Sequence, residues 1–299
     1  MSAKIINGKE IAAYIKAKAA AGAEECRNAG RRPCLAVIIV GEDPASQVYV
    51  RNKKRACEAC GITSLEYALP ADTTQETLLE LIGTLNDADN VDGVLCQLPL
   101  PRHIDEDTVT GAILPEKDVD GFHPVNVGKM LTGKDCFLPC TPAGVIEMLK
   151  YEGIPIAGKH AVVVGRSNIV GKPAAALLLR ENATVTVCHS RTENLKEITR
   201  AADIVVAAVG KPGFITADML KPGCAVIDVG INRLPDGTLT GDVDFAPAAE
   251  IAGAITPVPG GVGPMTIAML MQNTVKSCRL RLGIADLKLK KCCVLNFEC

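Results

Sequence analysis

Tryptophan is absent from this 299-residue chain, and aromatic residues make up only 3% of it. The core must therefore be aliphatic, which suits a parallel sheet whose strands are rich in Val, Ile and Leu. Long apolar runs are also missing, because none approaches the ~18 consecutive apolar residues that a membrane-spanning helix needs. We expect a protein that does not enter a membrane.

The charges show no strong excess of either sign. Lysine and arginine together number 32, aspartate and glutamate 34, and the formal net charge is −2. Proteins that bind nucleic acids usually carry a marked basic surface, so we expect no nucleic-acid partner.

The chain also lacks the marks of an exported protein. Its 13 cysteines are odd in number and scattered along a long chain, whereas disulfide frameworks belong to small secreted domains. The N-terminal stretch has no apolar signal core, and its first predicted helix carries Glu10, Glu24 and Glu25, which a transit peptide would avoid. We expect reduced thiols and a cytoplasmic location, with a processed organellar protein as the alternative.

Apolar runs alternate with helical periodicity in the first half of the chain. Residues 34–40, 62–69 and 91–96 are predicted strands, and residues 44–60 and 74–87 are the helices between them. This order predicts a parallel sheet, with a crevice beyond the carboxyl ends of its strands. A second series of strands follows at 161–164, 184–188, 204–208 and 225–230, and a final helix at 266–282.

Gly165, Arg166 and Ser167 form a turn between the strand at 161–164 and a helix at 174–179. Such a turn binds phosphate, because backbone N–H groups and the helix dipole favour an anion and glycine permits close approach. The spacing G-x-S-x-x-x-G departs from the dinucleotide fingerprint G-x-G-x-x-G. A tight turn without a ligand therefore remains an alternative.

The end of the next strand indicates which nucleotide would bind. An NAD site usually has an acid about 20 residues after the glycines, to bind the ribose hydroxyls. This chain has Ser190 and Arg191 there, with Arg166 in the first turn. Hydroxyl and guanidinium donors suit a 2′-phosphate, so NADP is favoured over NAD. The alternative is that Ser190 and Arg191 are ordinary loop residues.

The helix at 44–60 places a lysine on its inward side. At ~100° per residue, Lys53 shares a stripe with Tyr49 and Ala56, opposite a charged face. Lys53 could extend to solvent, pair with an acid, or enter a cleft, where desolvation would lower its pKa. The charged face consists of Arg51, Lys54, Arg55 and Glu58.

Three loops lie near the predicted crevice. Gln97 follows a strand and is either a polar loop residue or an amide at the rim of a pocket. Asp118 and Asp120 are too few for a metal site, and acids of a surface turn are the commoner interpretation. The glycine- and proline-rich stretch Pro259–Gly263 is either a rigid connector or a backbone surface for a flat ligand.

Five motifs in this order resemble the bifunctional methylenetetrahydrofolate dehydrogenase/cyclohydrolase family. The resemblance covers nearly all of residues 1–282, and it is specific because the motifs occur together. They are Tyr49-x-x-x-Lys53, Gln97-Leu-Pro-Leu-Pro101, Pro115-Glu-Lys-Asp-Val-Asp-Gly121, Gly165-Arg-Ser167 and Pro259-Gly-Gly-Val-Gly-Pro-Met-Thr266.

The resemblance implies NADP-dependent oxidation of 5,10-methylenetetrahydrofolate to 5,10-methenyltetrahydrofolate, followed by hydrolysis to 10-formyltetrahydrofolate. By the family pattern, Lys53 shuttles the proton of the hydration step, and Gln97 hydrogen-bonds to Lys53 and tunes that lysine. Tyr49 packs on the folate, and Asp120 binds the pterin. The resemblance implies a homodimer, and it implies no metal. The folate would further contact Leu98, Pro259, Gly260, Gly261, Val262 and Gly263, and the cofactor would contact Gly165, Arg166, Ser167, Ser190, Arg191 and Ile231.

The implied fold is two α/β domains, a three-layer-type catalytic domain and a Rossmann-like NADP-binding domain. Residues 1–140 and about 265–299 would form the first, with the C-terminal helix packing back on it, and residues 141–264 the second. Three other functions stay open: a monofunctional dehydrogenase of this family, a shikimate-dehydrogenase-like enzyme, and a catalytically silent NADP-binding protein. The cysteine-rich stretch after Gly283 has no assigned role.

Overall fold

The computed structural model describes residues 2–284, which contain eleven strands, ten α-helices and one 3-10 helix, Ala217–Met219. The stretch after Gly283 that we noted for its cysteines lies almost wholly outside the described residues. The strands are β1 Lys4–Ile5, β2 Cys34–Val40, β3 Thr63–Leu69, β4 Gly93–Cys96, β5 His160–Val164, β6 Thr184–Cys188, β7 Ile204–Ala207, β8 Ala225–Asp228, β9 Asn232–Arg233, β10 Leu239–Thr240 and β11 Ala254–Ile255. The helices are α1 Gly8–Asn28, α2 Pro44–Ala59, α3 Gln75–Asp87, α4 Glu106–Ala112, α5 Pro124–Leu131, α6 Cys140–Tyr151, α7 Gly171–Arg180, α8 Leu195–Arg200, α9 Phe245–Ile251 and α10 Val262–Arg281.

The first sheet has the strand order β3-β2-β4, and both pairs are parallel. Every residue of the central strand β2 is buried, as expected of a strand covered on both faces. Helix α2 leaves the carboxyl end of β2 and is capped by Asp43, whose carboxylate accepts a 2.7 Å hydrogen bond from Ser46 N. The first half of the chain therefore forms the parallel βαβαβ unit that the periodicity predicts.

The second sheet has six strands in the order β1-β11-β8-β7-β5-β6, and all five pairs are parallel. The carboxyl ends of β5, β6, β7 and β8 consequently meet at one edge. The two-residue strand β1 pairs with β11, so the chain contributes to this sheet before it builds the first one. The division at residues 140 and 265 remains a prediction.

The last helix joins the two halves. Helix α10 packs against α1, α6 and α2, which confirms that the C-terminal helix returns to the first domain. It begins at Val262 and not at residue 266 as predicted. Pro264 does not prevent the earlier start, because a proline in the first turn loses no intrahelical hydrogen bond.

The described cysteines behave as small core residues. Cys57 and Cys60 are 0% and 2% exposed, and ten cysteines of residues 2–284 are buried free thiols. Within the same residues, no helix combines the length and apolar character needed to cross a bilayer.

Candidate active site

Lys53 and Gln97 form the best-defined polar contact of the site. The Lys53 side chain is buried, with 6% exposure, and its Nζ donates a 2.8 Å hydrogen bond to Gln97 Oε1. The Gln97 amide in turn donates a 2.6 Å hydrogen bond to the Leu98 carbonyl oxygen. Helix α2 and the turn after β4 meet here because both follow carboxyl ends of neighbouring strands. Lys53 therefore points inward and does not extend to solvent.

The electrostatics around Lys53 favour loss of its charge. Burial lowers the pKa of Lys53, and the nearby Asp120 carboxylate partly opposes that shift. Burial raises the pKa of Asp120, and Lys53 opposes that shift as well. Each group is thus moved towards its neutral form, which is a common arrangement at sites of proton transfer.

The turn carrying Asp118 and Asp120 is not a surface turn. Asp118 is 3% exposed, and its carboxylate accepts hydrogen bonds of 3.1, 3.2 and 2.8 Å from the backbone N–H groups of Gly121, Phe122 and His123. The turn therefore folds around the Asp118 carboxylate, an arrangement that residue spacing does not reveal. Asp120, two residues on, is partly buried beside Lys53.

Asn273 of α10 holds the backbone on both sides of this turn. Its amide donates hydrogen bonds of 2.8 Å to the Val119 carbonyl oxygen and 3.0 Å to the Leu138 carbonyl oxygen. Asn273 is 7% exposed, so these bonds are sheltered from water. The last helix therefore fixes the position of the backbone next to Asp120.

A cavity of about 660 Å³ lies beside Tyr49 of α2. Its walls include Tyr49, Ile231 and the whole loop Pro259–Gly263. Burial raises the pKa of the Tyr49 phenol. The described walls of this cavity do not include Lys53, Gln97, Leu98 or Asp120, nor the predicted cofactor residues Gly165, Arg166, Ser167, Ser190 and Arg191.

The Gly165 turn is a cradle that only glycine permits. Gly165 has φ +127°, and a Cβ there would overlap the Ala208 carbonyl oxygen; a Cβ at Gly171 would overlap the Gly165 carbonyl oxygen. Ser167 Oγ accepts hydrogen bonds of 3.2 and 3.3 Å from Val170 N and Gly171 N at the start of α7.

The predicted 2′-phosphate residues lie at the same edge as this turn. Strands β5 and β6 pair so that Val164 lies opposite Cys188. Arg166, Ser190 and Arg191 are exposed just beyond these strand ends. The structure thus places the three side chains at one edge, around a turn suited to a phosphate.

Two buried carboxylates, one of them in the cavity wall, were not predicted. Asp228, the last residue of β8, lines the cavity with 3% exposure, and Asp242 is fully buried. Burial raises the pKa of Asp228 to about 6. An acid at the end of an apolar strand was the available signal for Asp228. Asp242 had none, because three of its four donors are backbone N–H groups distant in sequence.

Two family models divide this chain between them. The model for the catalytic domain of tetrahydrofolate dehydrogenase/cyclohydrolase matches residues 6–120. The model for the NAD(P)-binding domain of the same enzymes matches residues 139–282. Together they cover the three-stranded sheet, every strand of the larger sheet except β1, and the Gly165 turn.

Similar proteins cover nearly the whole chain. The bifunctional protein FolD of Acetivibrio thermocellus is 61% identical over 281 residues, which are 94% of this chain and 99% of that protein. The crystal structure of the bifunctional FolD enzyme of Campylobacter jejuni matches with a TM-score of 0.92 and 51% identity, over 94% of this chain and 100% of that one. The Trypanosoma brucei enzyme, solved with NADP cofactor and inhibitor, matches with a TM-score of 0.89 and 42% identity, over 94% of this chain and 99% of that one. This chain therefore belongs to the tetrahydrofolate dehydrogenase/cyclohydrolase family.

Proposed function

We propose that this chain oxidises 5,10-methylenetetrahydrofolate with NADP⁺ and hydrolyses the resulting 5,10-methenyltetrahydrofolate to 10-formyltetrahydrofolate. The observation that carries the proposal is the buried Lys53 ammonium on Gln97, next to Asp120 and on the same helix as Tyr49 of the large cavity. Family membership displaces the shikimate-type alternative. A lysine in this setting suits a hydration step and argues against a dehydrogenase alone.

The residues around the Gly165 turn fit an NADP molecule. The Gly165 turn leads into the N-terminus of α7, where backbone N–H groups and the helix dipole favour a diphosphate, and the exposed Arg166, Ser190 and Arg191 can bind a 2′-phosphate. When bound, NADP⁺ supplies the acceptor for the hydride that leaves the methylene carbon. The protein's task in that step is to hold donor carbon and acceptor close together, and Ile231 in the cavity wall would contact the cofactor.

Hydration uses the proton chemistry of Lys53. The oxygen of water bonds to the cationic methenyl carbon while neutral Lys53 Nζ takes the proton that water loses. The bond from that carbon to N5 then breaks, N5 gains a proton, and the hydroxyl proton leaves, so that the formyl group remains on N10. One proton is released overall. Gln97 holds Nζ in place for both transfers.

The folate is held by contacts on either side of Lys53. Tyr49 and the loop Pro259–Gly263 line the cavity and would contact the flat rings, while Leu98 follows Gln97 at the turn. Asp120 would accept hydrogen bonds from the pterin N–H groups, which present the paired donors that a carboxylate binds well. This assignment gives the partly buried acid a ligand.

The proposal also includes a location and an assembly. The balanced charge and the buried free thiols support a reducing, cytoplasm-like compartment. The family resemblance supports a homodimer, with a catalytic unit of residues 1–140 plus the C-terminal helix and a nucleotide unit of residues 141–264.

One assay tests the function. The protein is mixed with NADP⁺ and 5,10-methylenetetrahydrofolate, and the absorbance of the methenyl product is followed with that of NADPH. We expect NADPH to form and the methenyl signal to decay faster than in buffer. Absence of NADPH formation would refute the function, and formation without accelerated decay would leave a monofunctional dehydrogenase.

A further inference from the structure

The wall of the cavity next to Ile231 is a short hairpin fastened at both ends by buried carboxylates. Strands β9 and β10 form this hairpin, and Asp228 and Asp242 flank it in sequence. Asp228 accepts hydrogen bonds of 3.0 Å from Gly230 N and 2.9 Å from Asp242 N through Oδ1, and 2.9 Å from Val243 N through Oδ2. One carboxylate therefore binds the backbone where the hairpin begins and where it ends.

Asp242 binds the hairpin to a second loop. Three of its four donors are consecutive backbone N–H groups of the loop after β7, and the fourth is a side-chain amide of the hairpin. A carboxylate with four such donors has no remaining capacity for a metal or a substrate proton. The bonds come from Val209 N at 2.6 Å, Gly210 N at 2.9 Å, Lys211 N at 2.9 Å and Asn232 Nδ2 at 2.8 Å.

The loop after β7 in turn touches the phosphate turn. Ala208 N donates a 2.8 Å hydrogen bond to the Val164 carbonyl oxygen, directly before Gly165. The missing side chain of Gly165 is what lets the Ala208 carbonyl lie against it. A chain of contacts thus runs from Ile231 through Asp242 and Ala208 to the Gly165 turn.

Glycine backbone packs tightly against both carboxylates. A Cβ at Gly230 would overlap the Asp242 carboxylate, and a Cβ at Gly241 would overlap the Asp228 carboxylate. Because each carboxylate is in close contact with glycine backbone, the hairpin can take only one position against the sheet.

We infer that Asp242, supported by Asp228, is a positioning residue for hydride transfer that sets the placement of the Ile231 wall relative to the Gly165 turn. The inference rests on the proposed function, because it assigns the Gly165 turn to the cofactor diphosphate and Ile231 to the end of the cofactor that reacts. Hydration needs no cofactor, and its residues belong to the other sheet: Lys53 lies on α2 and Gln97 in the turn after β4. A substitution at Asp242 should therefore impair the oxidation and leave the hydration almost unchanged.

Asp242→Asn is the test, because the amide keeps the size but turns a donor towards backbone N–H groups. We expect at least a fivefold higher KM for NADP⁺ and at least a tenfold lower kcat/KM for oxidation. Hydration of methenyltetrahydrofolate without cofactor should change less than twofold. The matched control is Asp92→Asn, since Asp92 is a fully buried carboxylate that accepts from Cys34 N and Arg31 Nε and does not line the cavity. This control should lower the melting temperature without separating the two activities.

Asn232→Ala keeps the inference testable if Asp242→Asn does not fold. It removes one donor to Asp242 and should raise the KM for NADP⁺ about threefold with hydration unchanged. A parallel fall of both activities, or no change in either variant that folds, would overturn the inference. Wild-type protein that forms no NADPH would instead refute the proposed function itself.

Discussion

The Lys53 ammonium and the Gln97 side-chain oxygen are 2.8 Å apart although 44 residues separate them in sequence. The strand order β3-β2-β4 explains the meeting, since α2 follows β2 and Gln97 follows the adjacent β4. Gln97 is the neutral partner of a buried cation, so it orients the amine without adding a charge that would hold its proton.

Lys53→Met should abolish hydration while sparing nucleotide binding. Methionine fills similar space but can neither take nor return a proton, and loss of such a group costs about 100-fold or more in rate. The measurement is decay of methenyltetrahydrofolate together with NADP⁺ binding by calorimetry. Lys54→Met is the control, because its ammonium pairs with Glu66 at the surface. Hydration at the wild-type rate in Lys53→Met would remove Lys53 from its role.

The hydration rate should rise with pH and level off below the ordinary lysine pKa of 10.5. Burial lowers the pKa of Lys53, and the neutral amine is the form that accepts a proton. Stability should also increase with pH. Between the folded-state pKa of Lys53 and 10.5, only the unfolded state still binds the lysine proton, so the free energy of unfolding increases as pH rises through this window. Stopped-flow measurements across pH, corrected for the reaction in buffer, give the hydration rate and test its pH dependence. A rate that falls as pH rises through this range would contradict it.

Ser190→Ala and Arg191→Ala should weaken NADP⁺ binding more than NAD⁺ binding. Each removes a donor to the 2′-phosphate, and a hydrogen bond to a charged group contributes about 1.5–3 kcal/mol, or roughly tenfold or more in Kd. NAD⁺ lacks that phosphate and should lose less than twofold. Arg200→Ala, an exposed arginine at the end of α8, should affect neither. Equal losses for both nucleotides would refute the assignment.

Gly8→Ala should lower both stability and folate affinity. A Cβ at Gly8 would overlap the Gly261 carbonyl oxygen and come within 2.9 Å of the Gly260 carbonyl oxygen, in the loop that lines the cavity. Overpacking of this kind costs about 1–3 kcal/mol.

Gly83→Ala is the opposite case. Gly83 is exposed within α3, and a Cβ there meets nothing within 4 Å, so alanine should stabilise the protein by about 0.5–1 kcal/mol. Urea unfolding of both variants and the KM for folate test the pair. A Gly8→Ala protein with wild-type stability would show that the loop moves freely.

Continuous apolar strands were predictable and short elements were not. Strands β2 and β6 have the predicted bounds, because an apolar or β-branched run between polar residues has only one plausible extent. The two-residue strands β1, β9, β10 and β11 carry no measurable period. Strand β1 exists only because it pairs with β11 across about 250 residues of chain.

The site divides in the same way. Helical spacing alone placed Lys53 on the inward stripe, and its burial confirms that placement. The role of Asp120 came only from family resemblance, because its burial depends on how the turn folds around Asp118 and under Asn273. Asp242 could not be found from sequence, since three of its four donors are backbone N–H groups 31 to 33 residues away.

The pairing of β1 with β11 imposes an order of events during synthesis. Lys4 lies opposite Ala254, so this residue has a partner that is made 250 positions later. The three-stranded sheet can form while translation continues, because all of its strands precede residue 97. The far edge of the larger sheet can close only after Ala254 and Ile255 have been made, and until then β1 has no strand to join.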